Sequence, residues 1–127
     1  MNAIVFDASV IIAMLQEESG HQEGLKWIEQ ALVSTVNIAE VASFLSMKAL
    51  PLLSIRQTIA RLALNIAPLT TELAELTGAL RYQTRSAGLS LGDRACLALA
   101  ISREIPVLTA DKAWAKLDLP IEVKLIR

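Results

Sequence analysis

Four acidic side chains in this chain are placed where carboxylates could bind a hard metal cation. They occur in the segments AIVFDASV, STVNIAEVAS, LSLGDRACLAL and VLTADKAW, and they are Asp7, Glu40, Asp93 and Asp111. Each one follows an apolar, strand-like run and precedes a helix-like one. Because the ends of parallel strands and the starts of the helices that follow them share one edge of an α/β sheet, we expect the four carboxylates to meet at that edge.

Carboxylates crowded together in this way would repel one another and raise each other's pKa unless a cation neutralises them. Oxygen ligands suit Mg²⁺ or Mn²⁺, which keep several bound waters and use few carboxylates. The only histidine is His21 and the only cysteine is Cys96, so a zinc site is not expected. Ser9 and Thr109 each lie two positions from one of the acids, where a hydroxyl could hydrogen-bond a carboxylate or a metal-bound water.

Each acid also has a plainer structural role as a helix cap. Asp and Asn favour N-cap positions, and acids in the first turn complement the helix dipole. Asn37 and Glu40 have capping-box spacing, and Ser90 and Asp93 form a looser acidic variant of it. A single acid is therefore explained by capping, whereas the set of four favours a metal site.

Strand-like and helix-like segments alternate along the chain. Strands are predicted at 3–6, 33–36, 64–67, 106–108 and 122–126, and helices at 9–15, 21–32, 37–49 with Asn37 as its cap, 54–62, 70–86, 93–103 and 111–117. This alternation predicts a parallel sheet covered by helices on both faces. The expected fold is a three-layer α/β/α sandwich in one domain over residues 1–127.

Composition limits the function classes. Hydrophobic residues make up 54% of the chain, above the usual share of roughly 45–50%, which suggests that a partner or a second copy covers part of the surface. The apolar runs are too short to cross a membrane, and the chain opens on a strand rather than on a signal peptide. A single cysteine fits a reducing compartment, so a cytoplasmic protein is expected.

The charge balance does not exclude nucleic acid. The formal net charge is −1, but when the four candidate ligands are set aside, 12 basic residues face nine of the 13 acidic ones, a balance of +3. A phosphate-backbone substrate is therefore compatible with the sequence.

The chain resembles the PIN-domain ribonucleases, and in particular the VapC toxins of type II toxin–antitoxin systems. The matching segments cover nearly the whole chain and are Asp7-Ala8-Ser9, Asn37-Ile38-Ala39-Glu40-Val41, Leu91-Gly92-Asp93 and Thr109-Ala110-Asp111. The resemblance implies that the four acids bind Mg²⁺ or Mn²⁺ and hydrolyse RNA, often transfer RNA or other structured RNA. It also implies a homodimer and a small antitoxin protein bound across the active-site groove.

Four basic residues near the proposed edge are candidates to bind RNA phosphates: Arg81, Arg85, Arg94 and Lys112. The alternative for Arg81 and Arg85, which are four positions apart on one helix, is a solvated charged stripe.

Two other function classes remain open. A metal-dependent phosphatase or phosphotransfer domain would also place acids at strand ends. A haloacid-dehalogenase-like phosphatase, however, needs a second acid two positions after its nucleophilic aspartate, where this chain has Ser9. The third possibility is a non-catalytic interaction module whose acids are only helix caps.

Overall fold

A parallel sheet forms the centre of the molecule, seen in a computed structural model that describes residues 2–127. Its strands are β1 (Ile4–Phe6), β2 (Ala31–Ser34), β3 (Asn65–Ala67), β4 (Val107–Thr109) and β5 (Val123–Leu125). Their order across the sheet is β3-β2-β1-β4-β5, and every neighbouring pair is parallel. The chain therefore reverses its direction of winding between β1 and β4, which is where ligands bind in open α/β sheets.

Six helices cover the two faces of this sheet. They are α1 (Ala8–Gln16), α2 (His21–Trp27), α3 (Thr35–Met47), α4 (Leu52–Arg61), α5 (Thr71–Gln83) and α6 (Leu91–Arg103). Short 3₁₀ turns occur at Ile28–Gln30, Arg85–Ala87 and Lys112–Lys116. The α/β/α sandwich with a parallel sheet that the sequence predicts is confirmed.

Alternation along β1 divides the core into two layers. Ile4 and Phe6 are fully buried against residues of α1 and α3, whereas Val5 points to the other face, where it packs with Leu97 of α6 and with Trp114. This is the two-residue period of a strand buried on both sides. Trp114 is fully buried, so it belongs to the core and is not available to stack on a nucleotide base.

The sequence prediction of a helix over 21–32 is wrong in its second half. Helix α2 ends at Trp27, and a 3₁₀ turn leads directly into β2 at Ala31. Ala31 and Val33 are fully buried because β2 lies between β1 and β3. Pairing of β2 with β1 and β3 thus outweighs the helical spacing of the apolar residues in this segment, and the strand begins two residues earlier than predicted.

Asn37 does not cap the third helix, contrary to the sequence prediction. Ser34 is the N-cap, and its hydroxyl accepts a hydrogen bond from the Val36 amide at 3.2 Å. Asn37 lies inside the first turn of α3 and is fully buried. Its side chain is therefore available for a different contact.

The prediction of a strand-like segment immediately before Asp93 is also wrong. The 3₁₀ turn at Arg85–Ala87 ends at Gly88, which has a left-handed φ of 62°, and α6 then starts at Leu91 with Ser90 as its N-cap. Asp93 is thus positioned by the start of a helix and not by the end of a strand.

Across residues 2–127, no helix is both long enough and apolar enough to span a bilayer.

Candidate metal centre

The carboxyl edge of the sheet, between β1 and β4, brings together acids from four parts of the chain. Asp7 directly follows β1, and Asp111 lies two residues beyond the end of β4. Helices α3 and α6 contact each other across the sheet edge and carry Glu40 and Asp93 in their N-terminal halves. This edge is the place that the doubly wound topology provides for a ligand.

Asp7 is the buried centre of this group, with 5% of its surface exposed. The hydroxyl of Ser9 donates to Asp7 Oδ2 at 2.6 Å, and the hydroxyl of Thr109 donates to the same oxygen at 2.9 Å. In the described part of the chain, no hydrogen bond falls on Asp7 Oδ1. One oxygen of the carboxylate is therefore held in place while the other is available to a cation.

Glu40 is held in a similar way by Asn37, one turn earlier on the same helix. Asn37 Nδ2 donates to Glu40 Oε1 at 2.7 Å and to the Gly92 carbonyl at 3.1 Å, which ties α3 to α6. A Cβ atom built on Gly92 would collide with the Glu40 carboxylate. Glycine at this position thus lets the carboxylate lie against the start of α6.

Asp93 both caps its helix and belongs to the acidic group. The Ser90 amide donates to Asp93 Oδ2 at 3.0 Å, and the Asp93 amide donates to the Ser90 hydroxyl at 3.1 Å, which together make a capping box. Capping occupies one carboxylate oxygen. The side chain therefore shares the pattern of Asp7 and Glu40, in which one oxygen is fixed by a donor.

The three carboxylates interact electrostatically. Burial is the main reason that the pKa of Asp7 rises from 3.8 to about 6; the Ser9 and Thr109 hydrogen bonds oppose the rise, and the negative charges of Asp93 and Glu40 add to it. Burial also raises the pKa of Glu40, with a further rise from Asp93 and an opposing effect of the Asn37 hydrogen bond. A site that disfavours its own negative charge would gain from a bound cation.

Asp111 differs from the trio of Asp7, Glu40 and Asp93 in its surroundings. Its side chain is exposed and caps the last 3₁₀ turn, where Oδ1 accepts from the Ala113 amide at 3.0 Å. Its own amide donates to the Thr109 hydroxyl at 3.1 Å, so its link to Asp7 runs through Thr109. Its carboxylate is not among the charges that raise the pKa of Asp7.

The donor set fits a hard cation that keeps part of its water shell. Within residues 2–127, no three acidic, histidine or cysteine side chains approach closely enough to enclose a metal ion by themselves. Mg²⁺ is usually held by one or two carboxylates together with waters and substrate phosphates, so it does not need a closed protein cage. Cys96 is fully buried near the trio. Its burial is the main cause, and the charges of Asp7, Asp93 and Glu40 are a further cause, of the raised pKa of its thiol. The raised pKa disfavours the thiolate form that would bind a metal.

The structure separates the four basic candidates. Arg81, Arg85 and Lys112 are exposed, whereas Arg94 is buried and donates through Nη1 to the Thr77 carbonyl at 2.9 Å. Arg81, Arg85 and Arg94 line one pocket beside the start of α6, and Lys112 follows Asp111 at the start of the last 3₁₀ turn.

A family model described as "PIN domain" matches residues 4–119. The chain belongs to the PIN-domain family. No curated protein matches it significantly in sequence.

Solved structures that resemble this PIN domain come from several bacteria. A toxin–antitoxin complex from Klebsiella pneumoniae matches with 23% identity and a TM-score of 0.73, over 94% of this chain and 99% of that one. DNA-bound VapBC from Salmonella typhimurium matches with 16% identity and a TM-score of 0.75, over 100% of both chains. VapBC-5 from Mycobacterium tuberculosis matches with 28% identity and a TM-score of 0.61, over 100% of this chain and 99% of that one.

Two residues of this PIN domain have roles that their sequence context does not predict. The sequence predicts that Asn37 is a helix cap, but its side chain holds Glu40 in place. Gly92 matches only a helix start in the sequence, but it makes room for the Glu40 carboxylate. The spacing of Asn37 and Glu40, three apart on a helix, was a signal for their contact; the approach of α3 to Gly92 depends on the tertiary fold.

Proposed function

We propose that this chain is a Mg²⁺- or Mn²⁺-dependent endoribonuclease that acts in the cytoplasm as the toxin of a toxin–antitoxin pair. The observation that carries the proposal is the convergence of Asp7, Glu40 and Asp93 at the edge of a PIN-domain sheet, each with one oxygen fixed by a donor. The toxin–antitoxin complexes with the same fold support the biological role.

Asp7, Glu40 and Asp93 are the residues that would hold the cation, and Asp111, linked to Asp7 through Thr109, would be the fourth acid of the site. A bound divalent cation supplies an activated water and neutralises charge on the scissile phosphate. The chain's own residues orient the ligands: Ser9 and Thr109 fix Asp7, and Asn37 fixes Glu40. Fixed ligands need little rearrangement during the reaction, which favours catalysis.

The expected partners are a structured RNA such as transfer RNA, a cognate antitoxin and a second copy of the chain. Large apolar side chains are exposed at the end of α3 and the start of α4: Met47 at 87%, Leu52 at 60% and Leu53 at 65%. Exposed apolar surface of this kind supports a protein partner.

Rival functions receive less support from the site. In a haloacid-dehalogenase-like phosphatase the position of Ser9 would carry an acid, but here Ser9 donates a hydrogen bond to Asp7. An interaction module would explain the caps made by Asp93 and Asp111. It does not explain Asp7, whose side chain makes no cap hydrogen bond and is nevertheless buried.

Brief induction of the wild-type chain in bacteria, followed by sequencing of RNA ends, tests the proposal. We expect growth arrest and discrete RNA 5′ ends, neither of which should appear with Asp7→Asn. Asp118→Asn removes an exposed acid that follows the last 3₁₀ turn, and it should behave as wild type. Toxicity and cleavage that persist in Asp7→Asn would overturn the proposed mechanism.

A further inference from the structure

A pocket of about 460 Å³ lies between α5, the turn that follows it and the start of α6. Its walls include three arginines, Arg81 and Arg85 from the end of α5 and its turn, and Arg94 from α6, together with Ser90 and Leu91. In the region that the structure describes, none of these guanidinium groups forms an ion pair with a carboxylate. The pocket is therefore a concentration of positive charge without a counter-ion from the chain.

Arg94 gives this pocket an unsatisfied donor. The residue is 7% exposed, and among residues 2–127 its guanidinium makes one hydrogen bond, from Nη1 to the Thr77 carbonyl at 2.9 Å. Its Nε is buried and has no hydrogen-bond partner within the same range. A buried cation with an unmet donor is unfavourable, so an anion that reached this wall of the pocket would be bound favourably.

The shape of the donors favours phosphate. Guanidinium forks match the oxygens of a phosphate group, and Ser90 places the N-terminal end of the 13-residue helix α6 at the same wall. The Ser90 amide is also the donor to Asp93 Oδ2. Ser90 thus lines the arginine pocket and also hydrogen-bonds Asp93 of the carboxylate trio, so the two sites are joined through the first turn of α6.

An exposed aromatic ring stands next to the pocket. Tyr82 is 73% exposed, and the Arg85 guanidinium lies over its ring at 3.9 Å from the centroid. A second, shallow groove runs past Tyr82 along the small residues Gly78 and Ala79. Aromatic rings beside basic grooves are the platforms on which unpaired bases stack.

We propose that the arginine pocket binds a phosphate of single-stranded RNA adjacent to the scissile one, and that the base next to this phosphate stacks on Tyr82. This inference rests on the proposed ribonuclease function and specifies how its substrate is held. The trio carries out the cleavage, and the pocket selects an unpaired strand and sets its register.

The test is RNA binding without cleavage, measured in an Asp7→Asn background with Mg²⁺ present. The probe is a fluorescein-labelled single-stranded RNA of roughly 12 nucleotides, and the readout is fluorescence anisotropy across a range of salt concentrations. We expect Arg81→Gln/Arg85→Gln to weaken binding by at least about tenfold. The slope of log affinity against log salt should also fall by about 0.7 for each lost phosphate contact.

Matched controls remove the same charge elsewhere. Arg56→Gln/Arg61→Gln alters two exposed arginines on α4, and Arg103→Gln alters the end of α6 opposite to Arg94. These variants should keep the affinity and salt slope of the parent.

Arg94→Gln should also weaken RNA binding. If Arg94→Gln folds poorly, the double variant of the two exposed arginines, Arg81→Gln/Arg85→Gln, keeps the test informative. Inorganic phosphate should compete less effectively with RNA once the arginines are removed.

Tyr82→Ala tests the stacking step, and we expect it to weaken RNA binding while leaving the salt slope unchanged.

Three outcomes would contradict the proposals. If the arginine variants lose antitoxin binding but keep their RNA affinity, the pocket is a protein-docking site and the inference is overturned. If arginine variants and controls bind RNA equally, the inference fails while the nuclease stands. A wild-type chain that neither binds nor cleaves RNA would instead refute the proposed function.

Discussion

At the scale of single residues, the surroundings of Asp7 disfavour the charged form of its carboxylate. Two hydroxyl donors stabilise its carboxylate, yet burial and the neighbouring acids outweigh them and raise its pKa to about 6. The ionised carboxylate of Asp7 is therefore unfavourable at this position unless a cation neutralises its charge. Structural acids are normally placed where folding lowers their pKa, so the raised pKa of Asp7 supports a role in binding a cation.

A pH-dependent stability follows for the metal-free protein. Because folding raises the pKa of Asp7 from 3.8 to about 6, the folded state holds a proton that the unfolded state has lost. The contribution of Asp7 to stability is therefore greatest below pH 4 and declines as the pH rises towards 6. Asp7→Asn should raise the free energy of unfolding at pH 7 by up to about 3 kcal/mol, with the difference vanishing near pH 4.

Urea titrations in EDTA between pH 4 and pH 8 measure this effect, and Asp118→Asn is the control with an exposed acid. A stability difference between wild type and Asp7→Asn that does not change with pH would show that the Asp7 carboxylate is not desolvated as described.

At the scale of elements, the start of helix α6 does the most to shape the site. Its first turn supplies Asp93, contributes the Gly92 carbonyl that binds Asn37, and lets Glu40 approach because Gly92 has no Cβ. Asp93 caps α6 and its charge also acts on Asp7, so the cap and ligand interpretations of this residue are compatible.

Gly92→Ala tests the contribution of this turn. Alanine favours a helix by about 1 kcal/mol over glycine, but its methyl group would displace the Glu40 carboxylate. We expect RNA cleavage to fall by roughly 10²-fold, since small misplacements of catalytic groups have effects of this size. Asp118→Asn, which alters an exposed acid outside this turn, should keep full activity. Cleavage by Gly92→Ala at the rate of Asp118→Asn would contradict the placement of Glu40.

The sequence predicted the elements that depend on local signals. Strand β3 before Pro68 and helix α5 before Gly88 were placed within a few residues, because proline and glycine mark their ends. The errors occurred where distant contacts decide the outcome: β2 is a strand from Ala31 because it pairs on both sides. In the site, the types of the acids can be read from the sequence, but the exposure of Asp111 depends on its place at the start of the last 3₁₀ turn.

At the scale of the whole molecule, the fold places acids on one edge and three large exposed apolar side chains at the α3–α4 connection. A cation at the edge would join β1, α3 and α6 through Asp7, Glu40 and Asp93. Binding to the folded state alone raises stability in proportion to the logarithm of metal concentration.

Mg²⁺ or Mn²⁺ should therefore raise the melting temperature of the wild type, by several degrees at about 100 times the dissociation constant. Asp7→Asn and Asp93→Asn should abolish this shift, whereas Asp118→Asn should retain it. If metal does not change the melting temperature of the wild type, an interaction module whose acids are only helix caps is favoured.

The most direct test of the central claim is cleavage of a labelled structured RNA by the purified chain, with Mg²⁺ or Mn²⁺ titrated against EDTA. We expect discrete products that appear only with the metal and that disappear in Asp7→Asn and Glu40→Gln. Cleavage of equal rate in EDTA, or by Asp7→Asn, would contradict the assignment of these carboxylates to a catalytic metal site.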